Sequence, residues 1–237
     1  MNTMTDKKSC LLLIDTATEI CSVSLALGEK IIACKENMNG YAHAKELIPF
    51  VDEVMQEAKI EKQQITGVVL SIGPGSYTGL RIGASTAKGL CYALDVPLVA
   101  ISTLQNIMMG ARKEFSNQEL LFCPMIDARR QEVYTALFKY DGTPLEEVHA
   151  QIVEETTFEA LLQKSQVVFC GNGMPKCREM LSHYPNALFS DIKLSSTHML
   201  EKALLRFEQK QFEDIAYFEP FYLKEYVAAK SVVKGLQ

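Results

Sequence analysis

The sequence predicts an α/β fold made of two similarly folded lobes, and three observations carry that prediction. Over the first hundred residues the apolar pattern runs strand, strand, strand, helix, strand, helix, strand. The second half repeats that plan more loosely. Each half also opens the same way, with a strand, a turn bearing an aspartate (Asp15 and Asp127) and an antiparallel strand.

The elements follow in order. Residues 10–14 form an apolar run stopped by the polar turn Asp15-Thr16-Ala17-Thr18. Residues 21–27 alternate, with Val23, Leu25 and Leu27 on one face, and Gly28-Glu29-Lys30 joins them as a hairpin to a strand over 31–36. The period then changes. Over 44–58 the apolar residues fall at Leu47, Ile48, Val51, Val54, Met55 and Ala58, which is helical spacing. Residues 67–72 read as a strand buried on both faces, 78–94 as a second helix and 97–101 as a short strand. In the second half, an apolar run over 120–126 ends at Asp127, an alternating strand spans 132–138, and Asp141-Gly142-Thr143-Pro144 turns into a third strand over 145–153. Helices over 157–163 and 176–182 flank a buried strand over 167–170 closed by Gly171-Asn172-Gly173, and a last helix covers 195–208. Residues 1–101 then form the N-terminal lobe and 102–237 the C-terminal lobe and tail, joined by a helical segment over 102–113. This duplicated plan is similar to the actin-like ATPase fold (the ASKHA, RNase H-like class), whose aspartate turns face a cleft and handle nucleotide phosphates and metal.

Composition narrows the function. Hydrophobic residues make up 48% and charged residues 22%, which suits a folded globular chain. With 24 basic against 29 acidic residues the net charge is −5, so contact with nucleic acid would depend on a partner. The seven cysteines sit singly, in odd number and without a CxxC pair, which argues for reduced thiols in a cytoplasmic protein rather than a disulfide frame or zinc site. The apolar run at 11–14 is too short for a signal core or a membrane span.

The segment 73–83, Gly-Pro-Gly-Ser-Tyr-Thr-Gly-Leu-Arg-Ile-Gly, follows a buried strand and opens a helix. It lacks the Gly-Lys-Ser/Thr ending of a P-loop, and the dinucleotide GxGxxG spacing fails at Thr78. Gly79, Gly83 and Ala87 recur every four residues on one side, so either a tightly packed core or a partner helix can approach closely there. The first helix has an apolar arc running from Phe50 through Val54, Leu47, Ala58, Val51 and Met55 to Ile48. That arc spans about 160°, against about 100° for a helix on one sheet face, and the surplus points to a subunit contact. His43 stands where it can cap that helix.

Four segments together resemble the TsaB family: Leu13-Ile14-Asp15-Thr16-Ala17, the run 43–49 beginning His43-Ala-Lys-Glu-Leu47, the glycine segment 73–83, and Asp127-Ala-Arg129 through Glu132-Val-Tyr134. Tyr222-Leu223-Lys224 resembles the family's ending. The resemblance implies a non-catalytic scaffold that supports threonylcarbamoyl transfer to a tRNA adenosine next to the anticodon. It implies pairing with TsaD, joined by TsaE, and a homodimer when alone. The contact would run through Leu47, Phe50, Val51, Val54, Met55, Gly79, Gly83 and Ala87. TsaD, the catalytic relative, carries two metal-holding histidines at positions that fall here on Thr103 and Ile107, and neither side chain replaces an imidazole. No metal site or cofactor is therefore expected, with Asp15 and Asp127 the weak candidates for nucleotide or magnesium contact. The tail lysines Lys224, Lys230 and Lys234 could touch tRNA phosphates, or the tail could be a disordered end. The alternative is an actin-like hydrolase or nucleotide-binding enzyme, the kind given a glycoprotease label, for which the sequence supplies no HExxH and no ordered Ser-His-Asp set.

Overall fold

A computed structural model describes residues 8–37 and 42–224. Lys230 and Lys234 lie outside the described residues. The first sheet is built from β1 (Cys10–Asp15), β2 (Cys21–Leu27), β3 (Lys30–Asn37), β4 (Gly67–Ser71) and β5 (Leu98–Ile101), in the order β3-β2-β1-β4-β5. Pairing is antiparallel for β1–β2 and β2–β3, and parallel for β1–β4 and β4–β5. The second sheet uses β6 (Leu121–Asp127), β7 (Glu132–Thr135), β8 (Phe138–Lys139), β9 (His149–Ile152), β10 (Val167–Cys170) and β11 (Ala187–Ser190). Its order, β9-β7-β6-β10-β11 with β8 beside β6, repeats that of the first. The fold is the actin-like one, and the duplication read from the pattern is present.

Alternation along the strands decides which helix covers which face. Leu12, Ile14, Val68, Leu70 and Ala100 pack under α1 (His43–Ala58) and α2 (Tyr77–Leu94). Their neighbours Leu11, Leu13, Val69 and Ile101 point the other way, onto Met199, Leu200 and Ala203 at the start of α6 (Leu200–Glu208). In the second sheet, Phe122, Val168 and Cys170 meet α3 (Thr103–Ala111). Cys123, Val167 and Phe169 meet α4 (Glu159–Leu162) and α5 (Pro175–Leu181). Helices are exchanged: α3 follows the first sheet in the chain but packs on the second, and α6 follows the second but packs on the first.

Two expectations are corrected, and one strand was not expected. The strand expected over 132–138 is broken at Ala136-Leu137, because β6 contains Pro124, which has no N–H to give the ladder. Thr135 repairs part of the gap by donating its hydroxyl to the carbonyl of Pro124 at 2.8 Å. The third strand shortens from 145–153 to β9. And β11, with no alternation of its own, escapes a pattern reading; only its parallel register with β10 defines it.

Between α6 and Lys224 the chain is tied to the first sheet and to α2. Glu213 N–H donates to Leu98 O at 2.9 Å and Phe221 N–H to Ile72 O at 2.8 Å. Lys88 Nζ donates to the carbonyl of Phe218 at 3.2 Å, and the Phe218 side chain closes the first core. The Tyr222 ring lies 4.9 Å from that of Tyr77, with the Arg81 guanidinium 4.2 Å over the Tyr77 face. Residues 212–224 thus strap α2 from one end to the other.

Candidate functional site

The glycine segment meets the chain's own β1–β2 turn. Ser76 caps α2, its hydroxyl accepting from Gly79 N–H at 3.3 Å. A Cβ placed on Gly75 would stand 2.2 Å from Ala17 O, one on Gly79 2.1 Å from Thr16 O, and one on Gly83 2.3 Å from Thr16 Oγ1. Three glycines therefore let helix α2 press against Thr16 and Ala17 at backbone distance. Hydrogen bonds hold them there: Thr16 Oγ1 donates to Gly79 O at 2.8 Å, and Ser76 N–H to Ala17 O at 2.7 Å. Of the two readings the row left open, the close approach is occupied from within.

The same holds for most of the residues expected to meet a partner. Leu47, Val51, Val54 and Met55 are buried in the first core, Phe50 packs at its edge, and Ala87 lies fully inside. Most of the apolar arc of α1 is covered by β2, β3 and α2, and its end at Ile48 stays exposed. Exposed on the outer side of the two helices are instead Ala44, Ile48 and Pro49 from α1, and Ser85, Gly89, Tyr92 and Ala93 from α2. Nothing lies within 4 Å of a Cβ built on Gly89. Gly89→Ala is therefore expected to stabilise the chain by about 0.5–1 kcal/mol, read as a higher denaturant midpoint; a lower midpoint would mean the position is not open. His43 does not cap α1; its Nε2 donates to Thr18 O at 2.8 Å, tying the helix to the same turn.

The aspartates differ sharply. Asp15 is fully buried, accepting from Ala17 N–H at 2.9 Å and from Asn106 Nδ2 at 2.7 Å. Burial pushes its carboxyl up to about 6, against the opposing pull of the hydrogen bonds from Ala17, Ser71 and Asn106. Asp127 is exposed. Partial burial raises its pKa, but the Lys176 ammonium and Arg129 N–H outweigh that and leave it below the ordinary value. Across the cleft Asn172 Nδ2 donates to Glu19 Oε2 at 2.9 Å, and Asn172 Oδ1 accepts from Asp127 N–H at 3.1 Å. Behind this bridge lies a cavity of about 410 Å³ reached by Glu19, Ile20, Ile107, Met174 and Leu194.

An actin-like cleft implies a magnesium nucleotide held between the aspartate turns, and the side chains here do not fit that group. Both Asp15 oxygens are engaged inside the protein. The Thr16 hydroxyl and the Ala17 and Thr18 carbonyls are bonded to Gly79, Ser76 and His43 of the two helices, and the Thr18 hydroxyl accepts from Ile20 N–H. The Asp127 carboxylate is paired with Lys176. Among the described residues no three His, Cys, Asp or Glu side chains gather as metal ligands.

Residues 37–236 match the family model described as TsaD: tRNA N6-adenosine threonylcarbamoyltransferase. The chain belongs to the TsaD family. Within that family it sides with TsaB. The tRNA threonylcarbamoyladenosine biosynthesis protein TsaB of Bacillus subtilis is 28% identical over 219 residues, 90% of this chain and 93% of the relative. Its namesake in Escherichia coli is 29% identical, over 94% of this chain and 97% of the relative. By contrast, the tRNA N6-adenosine threonylcarbamoyltransferase of Legionella pneumophila strain Lens is 37% identical over only 84 residues, 35% of this chain and 25% of that one. Among solved structures, a Pseudomonas aeruginosa protein described as similar to peptidase YEAZ superposes with a TM-score of 0.80 at 25% identity, covering 91% of this chain and 100% of that one. The TsaB resemblance read from the glycine segment is thereby borne out.

Against that family background, Thr103 and Ile107 acquire a local meaning that the sequence did not give. Thr103 Oγ1 accepts from Gly73 N–H at 3.0 Å and lies 2.8 Å from Ser71 Oγ. It pins the glycine turn where the resemblance to TsaD implies an imidazole. Ile107 packs in the second core and walls the cleft cavity. Asn106, which no motif singled out, turns out to hold Asp15 and the carbonyl of Ser195 at once.

Proposed function

We propose that the chain is a scaffold subunit that docks on a TsaD-type enzyme and supports threonylcarbamoyl transfer to a tRNA adenosine, with the chemistry left to the partner. The single observation that carries this reading is Thr103 and Ile107: a chain alike to TsaB proteins over nine-tenths of its length has no imidazole where the catalytic relative is expected to hold metal. The docking face would be the outer side of α1 and α2, centred on Ile48, Ser85, Gly89 and Ala93, since the buried residues named from the sequence cannot reach a partner in this fold. Small side chains there let a second pair of helices approach closely. The same face would pair two copies of the chain when the enzyme is absent, and a TsaE-type ATPase would join the assembled pair.

The test is co-elution with the cognate TsaD-family protein on a sizing column. Gly89→Arg places a long charged side chain on the proposed face without touching the core. It is expected to abolish co-elution and leave the melting temperature within about 3 °C of the parent, a shift of about 1 kcal/mol at this size. Normal co-elution of a folded Gly89→Arg protein would remove α2 from the interface.

A further inference from the structure

The turn joining β6 to β7 carries two arginines whose guanidinium groups form no hydrogen bond or ion pair among the described residues. Arg129 and Arg130 both have positive φ, 72° and 51°. Glycine and asparagine take that conformation far more readily than arginine does. The backbone is held firmly: Arg129 N–H donates to Asp127 Oδ1 at 2.9 Å, and Glu132 N–H to Arg129 O at 3.1 Å. The side chains are not. Both are exposed, and neither guanidinium has a hydrogen bond or ion pair among the described residues. The acids that flank the turn are already taken, Asp127 by Lys176 and Glu132 by Lys224 at 2.5 Å. Backbone strain that is kept in place while two exposed guanidinium groups have no hydrogen bond or ion pair among the described residues points to a binding role rather than a folding one.

We propose that this turn grips the phosphate backbone of the tRNA once the chain is docked in its complex; the inference rests on the scaffold reading above. A guanidinium offers a planar fork of donors matched to phosphate oxygens. Arg129, Arg130, Lys176 and Lys224 outnumber the carboxylates of Asp127 and Glu132, which are both ion-paired, and of Glu19, which is held by Asn172. Because the whole chain carries −5, polyanion contact has to be local, at a site such as this one.

The experiment compares wild type with Arg129→Asn/Arg130→Gly, each assembled with the cognate TsaD-family enzyme. Anisotropy of a labelled tRNA transcript is followed from 50 to 200 mM salt, and co-elution with the enzyme is read on the same samples. The variant residues suit the left-handed backbone, so the melting temperature should hold or rise. The affinity for tRNA should fall about tenfold, and the slope of log K against log salt should become shallower by about 1.5, as expected for two lost phosphate contacts at 0.7–0.9 each. Unchanged affinity and slope in a complex that still co-elutes would overturn the proposal. Loss of co-elution by the double variant alone would overturn it too, assigning the arginines to an acidic protein surface. If even the wild-type chain fails to co-elute, it is the scaffold reading that falls, and this site with it.

Discussion

Gly79→Ala is expected to lower the stability of the chain by about 3–5 kcal/mol, an unusually large loss for adding one methyl group. The added Cβ would stand 2.1 Å from the carbonyl oxygen of Thr16, and that oxygen belongs to backbone that cannot swing away. Thr16 is fully buried, its hydroxyl already bonded to Gly79 O. To make room, α2 would have to lift from the β1–β2 turn, opening the contacts of Ala84 and Ala87 with the first core. Gly83→Ala presses on the Thr16 hydroxyl rather than on backbone, at 2.3 Å, so rotation of that side chain and loss of one hydrogen bond relieve it. Its cost should be smaller, about 1–3 kcal/mol. Urea titration of both variants orders them. A Gly79→Ala protein within 1 kcal/mol of wild type would mean the turn is softer than its hydrogen bonds imply. The same geometry makes Gly83→Arg a folding variant, unfit as a probe of any interface.

The contrast between Gly83 and Gly89 shows where sequence reading stops. Periodicity is local and reports how much of a helix is covered, which is why the strands of the first lobe and the spans of α1 and α2 were legible to within a residue or two. It does not report by what. Most of the arc of α1 that read as surplus is covered by β3 and α2, which a count of one sheet face leaves out, and only its end at Ile48 stays exposed. The glycine row read as an open invitation because the turn at Thr16 that fills it is some sixty residues away in the chain. The strap over α2 was invisible for the same reason: Phe218 and Tyr222 sit in a stretch without period, and their partners Lys88 and Tyr77 lie far upstream. Pro124 is the opposite case, a residue visible in the sequence whose missing N–H marks the break between β7 and β8 on the strand beside it. The polar turn at Asp15 was legible in the sequence, yet nothing local foretold Asn106 against it.

That buried aspartate makes stability depend on pH in a direction opposite to the usual carboxylate. Its folded pKa, about 6, lies above the ordinary 3.8, so its contribution is fully present below about pH 4 and is lost as pH rises through 6. Two units correspond to about 3 kcal/mol, an order-of-magnitude figure. Wild type should not display this openly. His198, half-buried and pushed down to about 4 by burial and by Lys113, contributes in the opposite sense: its stability is present above pH 6.5 and lost on acidification. The two windows overlap and largely cancel. Asp15→Asn removes one of them. The amide oxygen can still accept from Ala17 N–H, and its NH₂ can be met by turning the Asn106 amide, whose Oδ1 has no partner in the present orientation. Whatever that rearrangement costs is independent of pH. The melting temperature of Asp15→Asn minus that of wild type should therefore climb between pH 4 and pH 7, by roughly 6–12 °C for a chain of this size. The variant itself should become acid-sensitive, with the His198 slope unmasked. A difference that stays flat across that range would mean Asp15 titrates in the folded chain as it does in water, and that the interior around Asn106 is wetter than its packing suggests.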